Sequence, residues 1–125
     1  MAVAPERAFG DSLRDHLDAI AERDLVRFAK TVHRDVALVG PAGSVLRGYD
    51  AAIAAHRDWF SEDGWTFSPE ILWTNQRDDC GWALTSVTYS TLSGALSRFL
   101  LFLLFVRGET GWQLIYDQNT PLSSP

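Results

Sequence analysis

The chain has 125 residues, 46% of them hydrophobic and 22% charged, with a formal net charge of −5. That size fits one domain with a real core, and that balance excludes a disordered chain, a collagen and a simple coiled coil. No cluster of basic residues stands out in the sequence, so a nucleic-acid partner is not expected. A single cysteine, Cys80, excludes an internal disulfide, and the mixed opening with Glu6 does not read as a signal peptide. The longest apolar run, Phe99 to Val106, is too short to cross a bilayer as a helix. These features predict a soluble cytoplasmic protein with one domain over 1–125.

In chain order, Phe9, Leu13, Leu17 and Ile20 recur at helical spacing, with His16 on the same stripe. Pro5 and Glu6 suit the start of that helix, and Glu22–Arg23 its end. Asp24 reads as the N-cap of a second helix, with Leu25, Phe28, Ala29 and Val32 as its stripe and His33 at its C-terminal end. Val36–Val39 and Val45–Arg47 read as short strands around the turn at Gly40-Pro41-Ala42-Gly43. A third helix is predicted from Asp50 to Phe60, with Ile53, His56 and Phe60 inward. Strands then follow over Trp65–Asn75, Gly81–Leu92, Ser97–Arg107 and Trp112–Gln118. Pro69 marks the first of these as an edge or bulged strand. Helices followed by a strand meander predict an α+β fold with an antiparallel sheet.

The run Phe99-Leu100-Leu101-Phe102-Leu103-Leu104-Phe105-Val106 does not alternate, although an antiparallel strand with one wet face should. Both of its faces are therefore expected to be dry. One packs under the helices; the other is expected to pair with a second copy of the chain in a C2 homodimer.

Two short helices, a Gly-Pro turn, a helix opened by Leu46-Arg47-Gly48 and closed by Trp59-Phe60, and four strands ending in Gly111-Trp112-Gln113-Leu114-Ile115-Tyr116-Asp117-Gln118-Asn119-Thr120 resemble the NTF2-like superfamily. That group includes the SnoaL-like polyketide cyclases and the ketosteroid isomerases. The resemblance covers about residues 6–122 and implies a cone: three N-terminal helices packed on a curved antiparallel sheet, with a pocket between them. Ketosteroid isomerases use a general-base Asp, a Tyr on the first helix and a protonated Asp on a late strand. By position, His16 stands at the Tyr, Gly40 before Pro41 at the base, and Phe102 near the protonated Asp. Both carboxylates are missing at those positions, so isomerisation by that mechanism is not supported.

His16 and His56, each on an apolar helical face, are the candidate catalytic or ligand-orienting groups. Trp59, Phe60, Trp73, Tyr89, Phe102, Tyr116 and Gln118 complete the predicted ligand-binding set, since aromatic walls with polar handles suit small-molecule pockets. On strict alternation Trp112, Leu114, Tyr116 and Gln118 share one face of the last strand, and Ile115, Asp117 and Asn119 the other; which face looks inward stays open. Asp117-Gln118-Asn119 is polar for a strand end, fit either to cap a pocket mouth or to bond neighbouring chain ends. No metal-ligand spacing occurs, and no metal or other cofactor is expected. Gly10-Asp11-Ser12-Leu13 matches the nucleophile block of GDSL esterases, but it lies in a helical pattern with no D-x-x-H later in the chain. Cys80 beside Asp79 is a poor nucleophile. The leading expectation is a binder of a small, largely apolar or aromatic ligand. The alternatives are a SnoaL-like isomerase, cyclase or dehydratase moving protons on a small carbonyl compound, and an association domain with a filled pocket.

Overall fold

The computed structural model describes residues 7–109 and 111–122. The predicted Pro5 and Glu6 helix start lies outside them. Helix α1 (Phe9–Ala21) buries Phe9, Leu13, His16, Leu17 and Ile20 on one stripe. Helix α2 (Leu25–Lys30) follows at once, because the Asp24 side chain accepts the Arg27 N–H at its N-terminus. It stops before Thr31-Val32, two β-branched residues that lose rotamer freedom in a helix. Strand β1 therefore runs over Val32–Val39, longer than predicted, and His33 sits in a strand rather than capping a helix. There its Nδ1 accepts the Asp35 N–H at 3.0 Å.

Strand β2 (Val45–Arg47) pairs back on β1, and helix α3 (Tyr49–Phe60) opens at Gly48, whose φ of 92° suits glycine. Strands β3 (Thr66–Arg77), β4 (Cys80–Ser90), β5 (Leu96–Arg107) and β6 (Trp112–Pro121) complete one six-stranded sheet of order β2-β1-β6-β5-β4-β3. β3 is an edge strand, where Pro69 is tolerated. The sheet is mixed, not antiparallel throughout: β1 and β6 run parallel. The β5–β6 hairpin fixes the direction of β6, and β6 then enters beside β1, which lies far upstream in the chain. Among the described residues no helix is long and apolar enough to cross a membrane.

On β5 the alternate residues Leu101, Leu103 and Phe105 are buried beneath the helices. Leu100, Phe102, Leu104 and Val106 point to the opposite, outer face and are half-buried. The core side continues through Ala83, Thr85 and Val87 of β4. Gly81 meets Phe9 so closely that a β-carbon there would lie 2.7 Å from the ring, so a glycine lets α1 settle on the sheet. Gly10-Asp11-Ser12-Leu13 lies within α1, and the Ser12 Oγ is buried where it accepts the Trp112 N–H at 3.4 Å.

Candidate functional site

The last strand decides the site. Leu104 pairs with Tyr116 and Phe105 with Leu114, so Ile115 is an extra residue, a β-bulge. A bulge reverses the alternation. Trp112 and Leu114 face the core before it, and Asp117 faces the core after it, opposite buried Leu103 and beside buried Leu38. Neither of the two faces expected from strict alternation is thus inward along its whole length.

Asp117 reaches a chamber of about 130 Å³ walled by Leu38, His56, Leu46 and Asn119, with the Gly40 turn and Ser44 at its side. Only 8% of the residue is exposed, and its Oδ1 has no hydrogen-bond partner. Burial pushes its carboxyl up to about 7, since nothing nearby compensates the charge. Ionising a buried carboxyl without a partner is unfavourable, so this one holds its proton to a higher pH than a solvated carboxyl does.

His56 reaches the same chamber from α3. Its Nδ1 lies 2.8 Å from the Ala52 carbonyl oxygen. A carbonyl only accepts, so Nδ1 carries the proton and Nε2 keeps its lone pair. Burial lowers the His56 pKa and the bond to Ala52 opposes this, so the ring is neutral. The ring stacks on Phe28 at 4.1 Å, which fixes its plane. Asn119 is held in the same way: its Nδ2 donates to the Val39 carbonyl oxygen at 2.9 Å, leaving Oδ1 as an acceptor.

Asn119 also lines a second, larger cavity of about 450 Å³ with an apolar wall of Pro41, Trp59, Phe99 and Pro121. Tyr89 stands in that wall and accepts the Trp59 Nε1–H at 2.9 Å, leaving its own hydroxyl proton free to donate. Trp59 stacks on Trp65 at 4.4 Å, and the Trp65 Nε1 donates to the Trp59 carbonyl. Asn119 lines both cavities, the small one with Asp117 and His56 and the larger one with aromatic walls.

The predicted site residues divide accordingly. His56, Trp59 and Tyr89 are brought to the cavities. Phe60 is buried in the core beside Phe28 and Trp65 and lines neither cavity. His16 is fully buried and lines none of the cavities described. It donates through Nδ1 to Thr31 Oγ1 at 2.7 Å, because that hydroxyl gives its own proton to the Phe28 carbonyl. Phe102, Tyr116 and Gln118 belong to the outer sheet face, where the Tyr116 hydroxyl donates to Gln118 Oε1. Trp73 is half-exposed there as well, opposite Leu84. The assignment of Phe102 to the pocket is therefore corrected; its inward neighbours Leu101 and Leu103 face the helices instead. Asp117, Asn119 and Ser44 were absent from the predicted set. The one signal for the first two was the polar Asp117-Gln118-Asn119 tract after Leu114-Ile115. Among the described residues no group of three or more His, Cys, Asp or Glu side chains could hold a metal ion.

A family model for the SnoaL-like domain matches residues 11–120. No curated protein matches the sequence. Solved structures share the fold. A ketosteroid isomerase-like protein from Erwinia carotovora atroseptica is 18% identical with a TM-score of 0.78, covering 93% of this chain and 95% of its own. A protein assigned as an NTF2-like dehydratase from Streptomyces avermitilis is 14% identical with a TM-score of 0.80, over 92% and 94%. One assigned as a calcium/calmodulin-dependent protein kinase type II association domain, from Thiobacillus denitrificans, is 20% identical with a TM-score of 0.79, over 98% and 100%. At these identities the likeness speaks for the fold alone. With nearly all of the chain inside the family match, this protein belongs to the SnoaL-like domain family of NTF2-like folds.

Proposed function

We propose that the chain binds a small, largely apolar compound across the two cavities and moves a proton on it, with Asp117 as the acid–base group. The observation that carries this reading is the Asp117 carboxyl itself, buried and without a partner at Oδ1 in the wall of an open chamber. A purely structural residue there gains stability by becoming apolar, whereas an acid–base group needs this tuned environment. Neutral His56 accepts or relays the proton, and Trp59 and Tyr89 hold the apolar body. A filled association domain is the weaker reading, since the larger cavity is open and unfilled by the chain's own side chains.

The test uses β-tetralone, a ketone with acidic C–H bonds beside its carbonyl, in deuterium oxide. Proton NMR is expected to show faster loss of those protons with the protein than in buffer. The rate is expected to rise as pH passes about 7, where Asp117 becomes a base. Asp117→Asn is expected to bring exchange down to the buffer rate. Equal exchange by both proteins would remove Asp117 from the chemistry.

The same reading includes self-association. Leu84, Leu100, Phe102, Leu104 and Val106 give the outer sheet face an apolar centre, and a second copy is its occupant. Sedimentation is expected to give a dimer, and Phe102→Glu a monomer that stays folded. A wild-type monomer at high concentration would end the idea.

A further inference from the structure

The hydrogen-bonding inventory of the inner chamber is lopsided. His56 has committed its one N–H to Ala52 and offers Nε2 as an acceptor. Asn119 has committed one N–H to Val39 and offers Oδ1 as an acceptor and its second N–H as a donor. Ionised Asp117 only accepts. The Gly40 N–H is already bonded to the Ser44 carbonyl oxygen at 2.8 Å. Ser44 is exposed and its hydroxyl rotates, so it sets no fixed preference. Leu38 and Leu46 add no polar side chain. Thus two fixed acceptors and a carboxylate line one small chamber, set against a single fixed side-chain donor, the second amide N–H of Asn119.

From this arrangement we infer that the inner chamber selects the hydroxyl-bearing end of its ligand: a small neutral hydroxy-carbonyl compound or related alcohol, its apolar body lying against Trp59 and Tyr89. A hydroxyl gives its proton to His56 Nε2, Asn119 Oδ1 or the ionised Asp117 carboxylate. A compound bringing only acceptors leaves these atoms unpaired when it displaces water, and that costs affinity. The carbonyl of such a compound can accept from the Tyr89 hydroxyl. This rests on the reading of the Asp117 chamber as a small-molecule site, and it adds what kind of molecule enters.

Three phenyl ketones of matched body separate the possibilities. Phenacyl alcohol carries a hydroxyl, phenacyl methyl ether carries an oxygen that cannot donate, and acetophenone carries neither. Binding is followed by protein NMR, through the Asn119 side-chain amide and the Trp59 indole, at alkaline pH with Asp117 ionised. Phenacyl alcohol is expected to bind about fivefold more tightly than either of the others, a gap in the range of one net hydrogen bond. Asn119→Ala, or His56→Phe, which keeps a ring on Phe28, is expected to narrow the gap. The two substitutions together with Asp117→Leu, which removes the carboxylate as well, are expected to close it. If acetophenone or the ether binds as well as the alcohol, the hydroxyl preference is wrong while the small-molecule reading stands. If the preference survives the triple substitution, these three acceptors are not its source and the inference fails. If no ketone shifts the Asn119 and Trp59 signals, and β-tetralone exchange is also absent, the site reading and this inference fall together.

Discussion

Asp117→Asn is expected to gain stability over the wild type as pH rises from about 5 to about 8, by about 3 kcal/mol relative to its standing at the acid end. The Asp117 carboxyl moves from 3.8 to about 7 on folding because burial disfavours the charged form. Between those values the native protein holds a proton that the unfolded chain has lost. The carboxyl's contribution is therefore intact below 3.8, declines as pH climbs, and is gone above about 7. With so little of the residue exposed, solvent screening relieves only a small part of this. Asparagine cannot ionise and lacks that slope. Urea unfolding of both proteins at several pH values reads the difference directly. Parallel stability curves would show that Asp117 titrates in the fold as it does in water. Together with β-tetralone exchange, the result separates two roles: a variant that is more stable at alkaline pH and inactive marks a residue kept for chemistry at a cost in stability.

The legibility of this chain follows a physical line. Elements with long periodic patterns were readable: the α1 stripe from Phe9 to Ile20, the Asp24 cap and the doubly apolar Phe99–Val106 strand all have local causes. The parallel pairing of β1 with β6 had none. Side-chain periodicity carries no strand direction, and the partners Val32 and Leu114 are far apart in sequence. The same limit hid the site. Period-2 reasoning treats a strand as uniform, so Asp117 was grouped with Ile115 and Asn119 and its direction stayed undecided. The bulge at Ile115, which turns Asp117 into the chamber, has no turn residue or glycine to announce it. Trp73 and Phe102 failed for the complementary reason, since composition marks an aromatic residue as apolar but not which side of the sheet it faces. His56 and Trp59 were legible as inward residues of α3 because helical spacing fixes a face, and both line the cavities.

His16→Leu is expected to stabilise the protein under acid conditions and leave proton transfer untouched. His16 sits between Phe28 at 5.3 Å and Phe105 at 5.5 Å, with Nε2 buried and unpartnered. Burial, joined by repulsion from His56 and only partly opposed by Asp15, lowers its pKa from 6.5 to about 3. The unfolded chain takes up a proton below 6.5 that the native chain refuses until about 3. The neutral imidazole's contribution is thus complete above 6.5 and is lost as pH falls towards 3. At about pH 5 the deficit is on the order of 2 kcal/mol, and leucine does not share it. Leucine forfeits the bond to Thr31, worth about 1 kcal/mol, but the Thr31 hydroxyl keeps the Phe28 carbonyl and no longer faces a ring with an unpaired nitrogen. His56, whose pKa is also lowered by burial, leaves some acid sensitivity in place, so the slope is expected to shrink rather than vanish. Unfolding at about pH 5 and about pH 7 measures this, and β-tetralone exchange on the same samples measures activity. A variant that folds and keeps its acid stability but loses exchange would return His16 to the mechanism, acting on Asp117's chamber through the Phe28 and His56 rings that separate them.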